Sequence, residues 1–477
     1  MATGAYSRIV HIAHNLFKRS RNICRYLRAN QIPDCDITLA RNFGDSVDRT
    51  GKTNDKPQRE AVIVEAIRTP VGKYLGMLSR WNSVDLLAHA IDGLLKRTNV
   101  DPALVELVSC GCVSQAGEQA LNIGRNAILS GGQPESIPGV TLDMQCGSSQ
   151  MAIHFAAQAV ISGANDIVIA CGVENMSHLA LGSSAINPNL LISKPWTIFS
   201  VLRSLLNRSI MDMPGSPFNN KGLKSRYPGI NFDQIKSADD IAKKYGIPRR
   251  KLDEFSMESH FKASYARMRG RFSDEIIPVP IFGGDANDAK KIMADDEGIR
   301  DNPDLGRIAA LKPLKKCSLI TAAHASQVSD GAAAMLIMER STAERMGLKP
   351  LARFVSFHVA ANDPVLMLTA PVPATKGVLE KAGISLKDIS LIEVNEAFAS
   401  VVLAWKHEMN LWQSEVKVDP ILNVNGGAIA IGHPLGASGA RIAATMVHEL
   451  IRRDGKYALQ TMCTGGGQAP AMVIERI

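Results

Sequence analysis

Residues 141–171 have the pattern of a strand, a tight turn, a helix and a second strand in direct succession. Alternating apolar residues predict a short strand that ends at Cys146, and Gly147 begins a turn of small residues. The apolar helical run that follows closes at Gly163, and residues 166–171 have the composition of a buried strand. This unit favours a sheet covered by helices over an all-helical or all-β fold.

The same alternation recurs on both sides of a loop-rich middle region. Strands are expected at 60–66, 105–113, 332–338, 352–357, 389–394, 457–462 and 471–475. Helices are expected at 83–96 (with Ser83 as N-cap), 122–130, 341–346, 374–382, 400–407 and 439–453. Strands that alternate with helices predict an α/β fold with a mostly parallel core sheet.

The domain organisation follows from breaks in this alternation. Proline and glycine interrupt it from about residue 178 to 320, where amphipathic helices are expected at 237–245 and 251–269. We therefore expect an inserted loop domain at 179–320 that covers a site. The loop domain is flanked by an N-terminal half at 59–178, which residues of about 321–349 complete, and by a C-terminal half at 350–477. The two halves contain similar segments: Ala61-Val-Ile-Val-Glu in the first resembles Ala352-Arg-Phe-Val-Ser in the second. This similarity suggests two similar α/β halves.

The positive charge of the chain is concentrated at its start. The net charge of the 477 residues is +8, with 54 Lys and Arg against 46 Asp and Glu. Residues 1–33 hold six of the basic residues and no acidic one, which leaves 48 against 46 for the rest. The body of the protein therefore has no charge signature of nucleic-acid binding.

The N-terminal segment has the composition of a mitochondrial presequence, since it is Arg-rich, free of acids and amphipathic. On a helix, one face would carry Lys18, Arg21, Arg25 and Arg28, and the opposite face Ile9, Ile12, Leu16, Ile23 and Leu27. We expect residues 1–58 to be a targeting segment and linker, and the protein to reside in the mitochondrial matrix. Two alternatives stay open: a basic tail without function, and a peroxisomal or glycosomal signal, because Arg8-Ile9 and Asn15-Leu16 nearly fit that pattern.

Neither the cysteines nor the apolar segments point to a disulfide scaffold or a membrane span. The eight cysteines show no disulfide or zinc spacing, and Cys110-Gly111-Cys112 is expected to be core, so no metal is expected. No apolar run reaches the length of a membrane span. Residues 195–207 are apolar and slightly basic; they are compatible with docking on a membrane or a partner, and equally with packing on their own domain.

Four short motifs are expected at strand ends or turns, where α/β sheets gather reacting groups. Together they supply two thiols, an imidazole, an amide and glycine N–H groups, which are the components of acyl transfer. Cys146 is expected at a helix N-terminus, where a thiol loses its proton more easily. The motifs are Gln145-Cys146-Gly147-Ser148, Asn395-Glu396-Ala397-Phe398, Gly432-His433-Pro434-Leu435-Gly436 and Cys463-Thr464-Gly465-Gly466-Gly467.

Each motif also has a purely structural interpretation. Cys146 and Cys463 are compatible with buried core positions, and His433 with a turn residue between Gly and Pro. Asn395 is compatible with a cap of the following helix, and Gly465 with a plain turn.

In their order and spacing, these motifs resemble those of the thiolase family over residues 60–477. Arg68-Thr-Pro, Ser329-Asp-Gly-Ala-Ala-Ala and Gly465-Gly-Gly-Gln fit the resemblance too. It implies a thiolase-like five-layer αβαβα fold with two similar halves and an inserted loop domain that binds coenzyme A (CoA). It also implies an assembly of at least two copies, a homodimer or a homotetramer.

The resemblance assigns a role to each motif. Cys146 would be the nucleophile that carries the acyl group, and His433 would lower its pKa and contribute to an oxyanion hole. Asn395 would hold a water in that hole, and Cys463 would be the acid and base for the α-carbon or for the CoA thiol. The N–H groups of Cys146 and Gly465 would form a second oxyanion hole.

Two further residues would contact the substrate: Ser326 the pantetheine arm of CoA and Phe398 the acyl pocket. This chain also departs from the family. Many members have Gly-Asn-Ala-Ser where it has Ala323-His324-Ala325-Ser326, and Met-Gly where it has Gln234-Ile235. The thiolase subunits of fatty-acid oxidation complexes often have His where it has Asn395.

The resemblance implies a 3-ketoacyl-CoA thiolase, which uses CoA as a substrate and needs no bound cofactor. A hydratase or dehydrogenase of β-oxidation is a candidate partner. An acetoacetyl-CoA thiolase that condenses two acetyl-CoA has the same residues and remains an alternative. A non-catalytic acyl-CoA-binding or scaffold subunit is a third candidate, although such a subunit needs neither thiol. A ketoacyl synthase fits less well, because those relatives usually place two histidines around the cysteine.

Overall fold

The computed structural model describes residues 59–185, 217, 220–281, 291–411 and 420–477. The predicted targeting segment and the apolar segment at 195–207 lie outside these residues. Within them, every helix is too short or too polar to cross a membrane.

The strands extend over most of the positions expected from the pattern. They are β1 (Ala61–Arg68), β2 (Gly72–Lys73), β3 (Leu107–Gly111), β4 (Gly139–Leu142), β5 (Ile167–Asn175), β6 (Val279–Pro280), β7 (Ile292–Met293), β8 (Ser329–Glu339), β9 (Ala352–Ala361), β10 (Ile389–Val394), β11 (Tyr457–Thr461) and β12 (Gln468–Arg476).

The α-helices alternate with these strands in both halves. They are α1 (Ser83–Thr98), α2 (Ile123–Ser130), α3 (Ser148–Ser162), α4 (Lys221–Arg226), α5 (Gln234–Lys244), α6 (Arg249–Met268), α7 (Leu305–Ala309), α8 (Arg340–Arg345), α9 (Pro371–Ala382), α10 (Ala399–Glu408) and α11 (Leu435–Arg452).

The two halves have the same strand order. The first half runs β4-β3-β5-β8-β1, and the second runs β10-β11-β12-β9, joined to the first where β1 pairs with β9. A bridge between Ile392 and Leu422 adds one more segment beside β10 and completes the match. The sequence echo between the halves therefore corresponds to a structural repeat.

The expectation of a mostly parallel sheet was wrong. β3 pairs in parallel with β4 and β5, and β10 with β11. β8 runs antiparallel to both β1 and β5, and β12 runs antiparallel to both β9 and β11. The long segment between β5 and β8 lets β8 return in the opposite direction, and a tight turn after β11 reverses β12. We call residues 179–320 of that segment the insert.

Three buried clusters define the layers. Between the halves, α3 and α11 pack on each other and on both sheets through side chains such as Ile153 and Met446. On the outer face of the first half, α1 buries Leu87 and α2 buries Ile128. On the outer face of the second half, α9 and α10 bury Val378 and Trp405. Helices and sheets therefore alternate in the five-layer αβαβα arrangement that the resemblance implied.

Hydrogen bonds explain the cap of α1 and the early start of α11. Asn82, and not Ser83, caps α1, because its side chain accepts the N–H of Val84 at 2.9 Å. α11 begins at Leu435, four residues earlier than expected. The buried carboxylate of Glu174 accepts the N–H of Gly436 at 2.9 Å and so satisfies a donor of the first turn.

The insert packs against two of the predicted motifs. Phe232, Ile241 and Leu252 of the insert share a buried cluster with Phe398 and Cys463. The helical insert thus lies beside the loops that carry two of the candidate site residues.

Candidate active site

Cys146 lies in a strained turn between β4 and α3. Gln145, which precedes it, has φ of 51°, a left-handed conformation that costs energy for a residue with a side chain. The Ser148 hydroxyl holds the turn, because it accepts the Met144 N–H at 2.9 Å and donates to the Gln145 carbonyl at 2.6 Å. A Cβ on Gly147 would lie 2.7 Å from Thr464 Cγ2, so the glycine allows the loop after β11 to approach.

The structure contradicts the expectation that the Cys146 thiol loses its proton readily. The residue is 7% exposed, and burial raises the pKa of its thiol to about 12. The backbone N–H groups of Cys146 and Gly465 oppose this effect but do not overcome it. The cost of desolvating a thiolate therefore outweighs the helix N-terminus, and the thiol needs a base to become a nucleophile.

His433 has the geometry of that base. Its Nδ1 lies 2.6 Å from Ser438 Oγ, and Ser438 Oγ donates its own proton to the Pro434 carbonyl at 2.8 Å. Ser438 Oγ must therefore accept a hydrogen bond from His433 Nδ1, which assigns the ring proton to Nδ1 and leaves Nε2 unprotonated. Burial, together with the nearby Arg441 charge, lowers the pKa of His433 to about 3, so the ring is neutral.

Asn395 follows β10 and faces the same imidazole. Its Nδ2 lies 3.5 Å from His433 Nε2, and its backbone N–H donates to the Thr461 carbonyl at 3.1 Å. Its Oδ1 is buried and has no hydrogen-bond partner among the described residues. The next helix begins at Ala399 with Phe398 in the N-cap position, so Asn395 is not a helix cap.

Cys463 places a second thiol close to the first. Residue 463 is buried at the end of β11, and burial raises the pKa of its thiol. The Cys146 thiol is near enough to raise it further. Two protonated thiols therefore lie close together in a region that is largely shielded from water.

An apolar wall surrounds the Cys146 thiol. It is formed by the buried side chains of Val113, Met176, Leu435 and Met462. The predicted pocket residue Phe398 instead packs in the neighbouring cluster that contains Cys463. The candidate CoA residue Ser326 lies next to Phe398, since its N–H donates to the Ala397 carbonyl at 3.0 Å.

Glu396 has a positioning contact that the motif alone did not reveal. Its buried carboxylate accepts hydrogen bonds from Ser259 Oγ at 2.7 Å, Asn423 Nδ2 at 3.1 Å and the Ile429 N–H at 3.2 Å. It therefore ties the residue after Asn395 both to α6 and to the loop that leads to His433.

Glu174 was missed by the sequence analysis. Its carboxylate accepts the N–H groups of Val113, Ser114 and Gly436 and the Gln119 amide at 2.9–3.0 Å. Burial raises the pKa of this carboxyl, and the four donors act in the opposite direction. A charged residue near the end of the otherwise apolar β5 was the signal available in the sequence.

Models of thiolase domains match nearly all of the described chain. The thiolase N-terminal domain matches residues 61–341 and the thiolase C-terminal domain matches residues 348–476. The chain belongs to the thiolase family.

Individual thiolases resemble it along most of its length. It is 42% identical to a steroid 3-ketoacyl-CoA thiolase of Mycobacterium tuberculosis, over 90% of this chain and 97% of that protein. It is 38% identical to an acetyl-CoA acetyltransferase of Allochromatium vinosum, over 87% and 99% of the two chains. Human mitochondrial 3-ketoacyl-CoA thiolase has a similar structure, with a TM-score of 0.73 and 32% identity over 88% of this chain and 99% of that chain.

This thiolase-family site unites residues from four separate segments. The Cys146 and Cys463 thiols lie close together, and Gly465 presents its N–H toward the Cys146 thiol. Asn395 lies beside His433, and Leu435 of the His433 motif packs in the same cluster as Cys146. Among the residues that the structure describes, no group of His, Cys, Asp and Glu could hold a metal ion. The site offers a thiol nucleophile, a neutral base and fixed N–H donors.

Proposed function

We propose that the protein is a 3-ketoacyl-CoA thiolase, which cleaves a 3-ketoacyl-CoA with CoA into acetyl-CoA and a shortened acyl-CoA. The observation that carries the proposal is the pair of neighbouring protonated thiols beside the loop that bears the neutral imidazole of His433. Relatives that share the fold and about two-fifths of the sequence are 3-ketoacyl-CoA thiolases, which agrees with it.

In the first half of the proposed reaction, the Cys146 sulfur attacks the 3-keto carbon while its proton passes to His433 Nε2. The bond between C2 and C3 then breaks, and its electron pair moves to C2 as the enolate of acetyl-CoA. Cys463 donates its proton to C2, and acetyl-CoA leaves. Asn395 Nδ2, through a water, and the protonated Nε2 are oriented to stabilise the enolate oxygen.

In the second half, the Cys463 thiolate takes the proton of an incoming CoA thiol. The CoA sulfur attacks the acyl-Cys146 thioester, and the N–H groups of Cys146 and Gly465 stabilise the oxyanion that forms. The Cys146 sulfur leaves and recovers its proton from His433. Both thiols and the imidazole then return to their starting states.

Substitution of each thiol tests the division of roles. Cys146→Ser should abolish thiolysis, because a serine hydroxyl is a far weaker nucleophile beside a base of this kind. Cys463→Ala should block deuterium exchange at the α-carbon of acetyl-CoA yet still allow acylation of Cys146. Thiolysis at near wild-type rates in either variant would contradict the mechanism.

The acetoacetyl-CoA thiolase alternative rests on the similarity to acetyl-CoA acetyltransferases. The two functions use the same reacting groups and differ in the acyl group that the pocket accepts. Relative rates of thiolysis on acetoacetyl-CoA and on long-chain 3-ketoacyl-CoA distinguish them, since only the first would be cleaved efficiently by an acetoacetyl-CoA thiolase.

CoA is proposed as the substrate in both directions, with no bound cofactor. The human relative has been crystallised in complex with CoA, which supports this assignment. We place CoA beside Ser326 and Phe398, where the insert meets the second half. A hydratase or dehydrogenase of β-oxidation remains a proposed partner, to be sought by co-purification.

We also propose a homodimer or a homotetramer. β4 is the last strand of the sheet order, so in the described part of the chain it pairs on one side only, and Val140 on it is 45% exposed. An unpaired edge strand with an exposed apolar residue is a ready surface for a second copy. Light-scattering mass measurement in solution tests this, and a monomer would contradict it.

A mitochondrial location is proposed from residues 1–33 alone, because they are basic, acid-free and amphipathic. A peroxisomal or glycosomal location is the alternative.

A further inference from the structure

His324 occupies a position where this chain departs from the common family pattern. Its ring is fully buried, and its Nδ1 accepts the backbone N–H of Thr321 at 3.1 Å. Its Nε2 lies 2.7 Å from Asp253 Oδ1. Because Nδ1 accepts, the ring proton is on Nε2 and is donated to the carboxylate. Burial lowers the pKa of His324, which agrees with a neutral ring.

Asp253 connects this histidine to the insert. The residue is buried on α6, and its Oδ1 also accepts Arg249 Nε at 2.8 Å. Arg249 Nη2 in turn donates to the carbonyls of Ile308 and Ala309 at 3.0 and 3.2 Å, at the end of α7. The three side chains thus form a cross-link between α6, α7 and the segment that returns to β8.

The same segment next contacts two of the active-site motifs. Two residues after His324, the Ser326 N–H donates to Ala397 in the motif of Asn395. One residue later, the Gln327 carbonyl accepts the His433 N–H at 3.1 Å. The hydrogen bond of His324 to α6 therefore anchors this segment two residues before the proposed CoA residue.

We propose that His324 is a positioning residue for CoA: its hydrogen bond to Asp253 holds Ser326 where the pantetheine arm binds. The inference rests on the proposed function, because it takes CoA as the ligand at Ser326. His324 itself contacts no substrate, and it acts through the placement of the segment that carries Ser326.

Two substitutions separate the contacts of the two ring nitrogens. An asparagine amide can imitate Nδ1 and keep the Thr321 contact, but it is too short to reach Asp253. A glutamine amide reaches as far as Nε2 and can keep the Asp253 contact. We therefore expect His324→Asn to raise the KM for CoA about tenfold with little change in kcat, the effect of losing one charged hydrogen bond. His324→Gln should stay near the wild-type KM.

The readouts are KM and kcat for thiolysis of acetoacetyl-CoA with varied CoA, CoA binding by calorimetry, and acetylation of Cys146 by acetyl-CoA. Glu254→Gln, an exposed change on the same helix, is the matched control and should alter none of them. If His324→Asn does not fold, Asp253→Asn keeps an acceptor without the charge and should raise the KM for CoA by a smaller factor.

An unchanged KM for CoA in His324→Asn would overturn the inference, as would equal defects in the Asn and Gln variants. A fall in kcat alone would also overturn it, because that would place the effect on the chemical step. Failure of the wild-type protein to bind CoA or to cleave acetoacetyl-CoA would overturn the proposed function as well. This outcome is distinguishable because it appears in the wild-type protein and needs no variant.

Discussion

At the scale of single residues, the decisive contacts are those that set protonation. His433 can accept a proton only at Nε2, because its Nδ1–H is committed to Ser438 Oγ at 2.6 Å. The Cys146 thiol, with its pKa raised to about 12, remains protonated until that base acts. Before reaction the thiol and the imidazole are therefore both neutral, as in a hydroxyl–histidine pair, and are not ionised as in a preformed thiolate–imidazolium pair.

Removal of the Ser438 hydroxyl should impair proton transfer without removing a reacting group. In Ser438→Ala the ring can turn or change tautomer, so the population with a free Nε2 falls. We expect kcat for thiolysis to drop between about tenfold and a hundredfold, the usual range for a weakened general base. Ser438→Thr, which retains the hydroxyl, should recover most of the rate, and full activity of Ser438→Ala would contradict the tautomer assignment.

At the scale of elements, α3 serves two purposes that conflict. Its N-terminus presents Cys146, and its middle lies between two sheets, where nearly every side chain must be apolar. His154 breaks that rule: it is fully buried, its ring packs 4.8 Å from that of Phe357, and within the described structure neither ring nitrogen has a partner. Burial lowers the pKa of His154 to about 3.

This histidine should make the protein sensitive to acid. The unfolded chain takes up a proton at His154 below about pH 6.5, whereas the folded chain takes it up only near pH 3. The free energy of unfolding is therefore fully retained above pH 6.5 and falls as the pH drops toward 3. At pH 5 the loss is about 2 kcal/mol for one such group. His154→Leu should therefore stabilise the fold, with a gain that is larger at pH 5 than at pH 8.

Denaturant unfolding at both pH values measures this gain, with the wild-type protein as the reference. An equal gain at pH 5 and pH 8 would show that His154 does not titrate in this range. A loss of stability at both would show that the imidazole contributes packing that leucine cannot replace.

At the scale of the whole molecule, two similar halves share one site. Cys146 comes from the first half, and Asn395, His433 and Cys463 come from the second. α3 and α11 pack on each other between the sheets, and near their N-terminal ends the Ala440 N–H donates to Ser149 Oγ at 3.0 Å. The family models begin at residue 61, and Arg59 already contacts the body through the Val160 carbonyl at 2.8 Å.

Residues 1–58 should therefore be dispensable for catalysis. A chain that begins at residue 59 should keep the thiolysis rate and unfolding temperature of the full chain, because both thiolase domain matches lie within residues 61–476 and Arg59 contacts the body. A fusion of residues 1–45 to a reporter should enter mitochondria, with a fusion that replaces the six basic residues as control. A cytosolic or peroxisomal reporter would contradict the targeting proposal, and an inactive truncated chain would contradict dispensability.

Local sequence patterns predicted much of the fold and of the candidate site, and the features that they missed have identifiable physical reasons. The α/β alternation, the repeat and the thiolase resemblance are confirmed, because they depend on periodicity and on short motifs. The parallel sheet was a wrong prediction, since strand direction depends on where the insert returns the chain. Ser438 and Glu174 escaped notice because their roles depend on contacts with residues distant in sequence or on the proton of a neighbouring ring.

Sequence motifs and periodicity were enough to predict the family, the alternation of elements and the residues proposed to react, because these depend on side-chain chemistry and on short-range spacing. The tertiary structure decided the ionisation of those groups. Burial raised the pKa of the Cys146 thiol against the effect of its helix N-terminus, and Ser438 selected the tautomer of His433. Both results depend on solvent exclusion and on partners that only the assembled halves supply, because desolvation is a property of the surroundings and not of the residue.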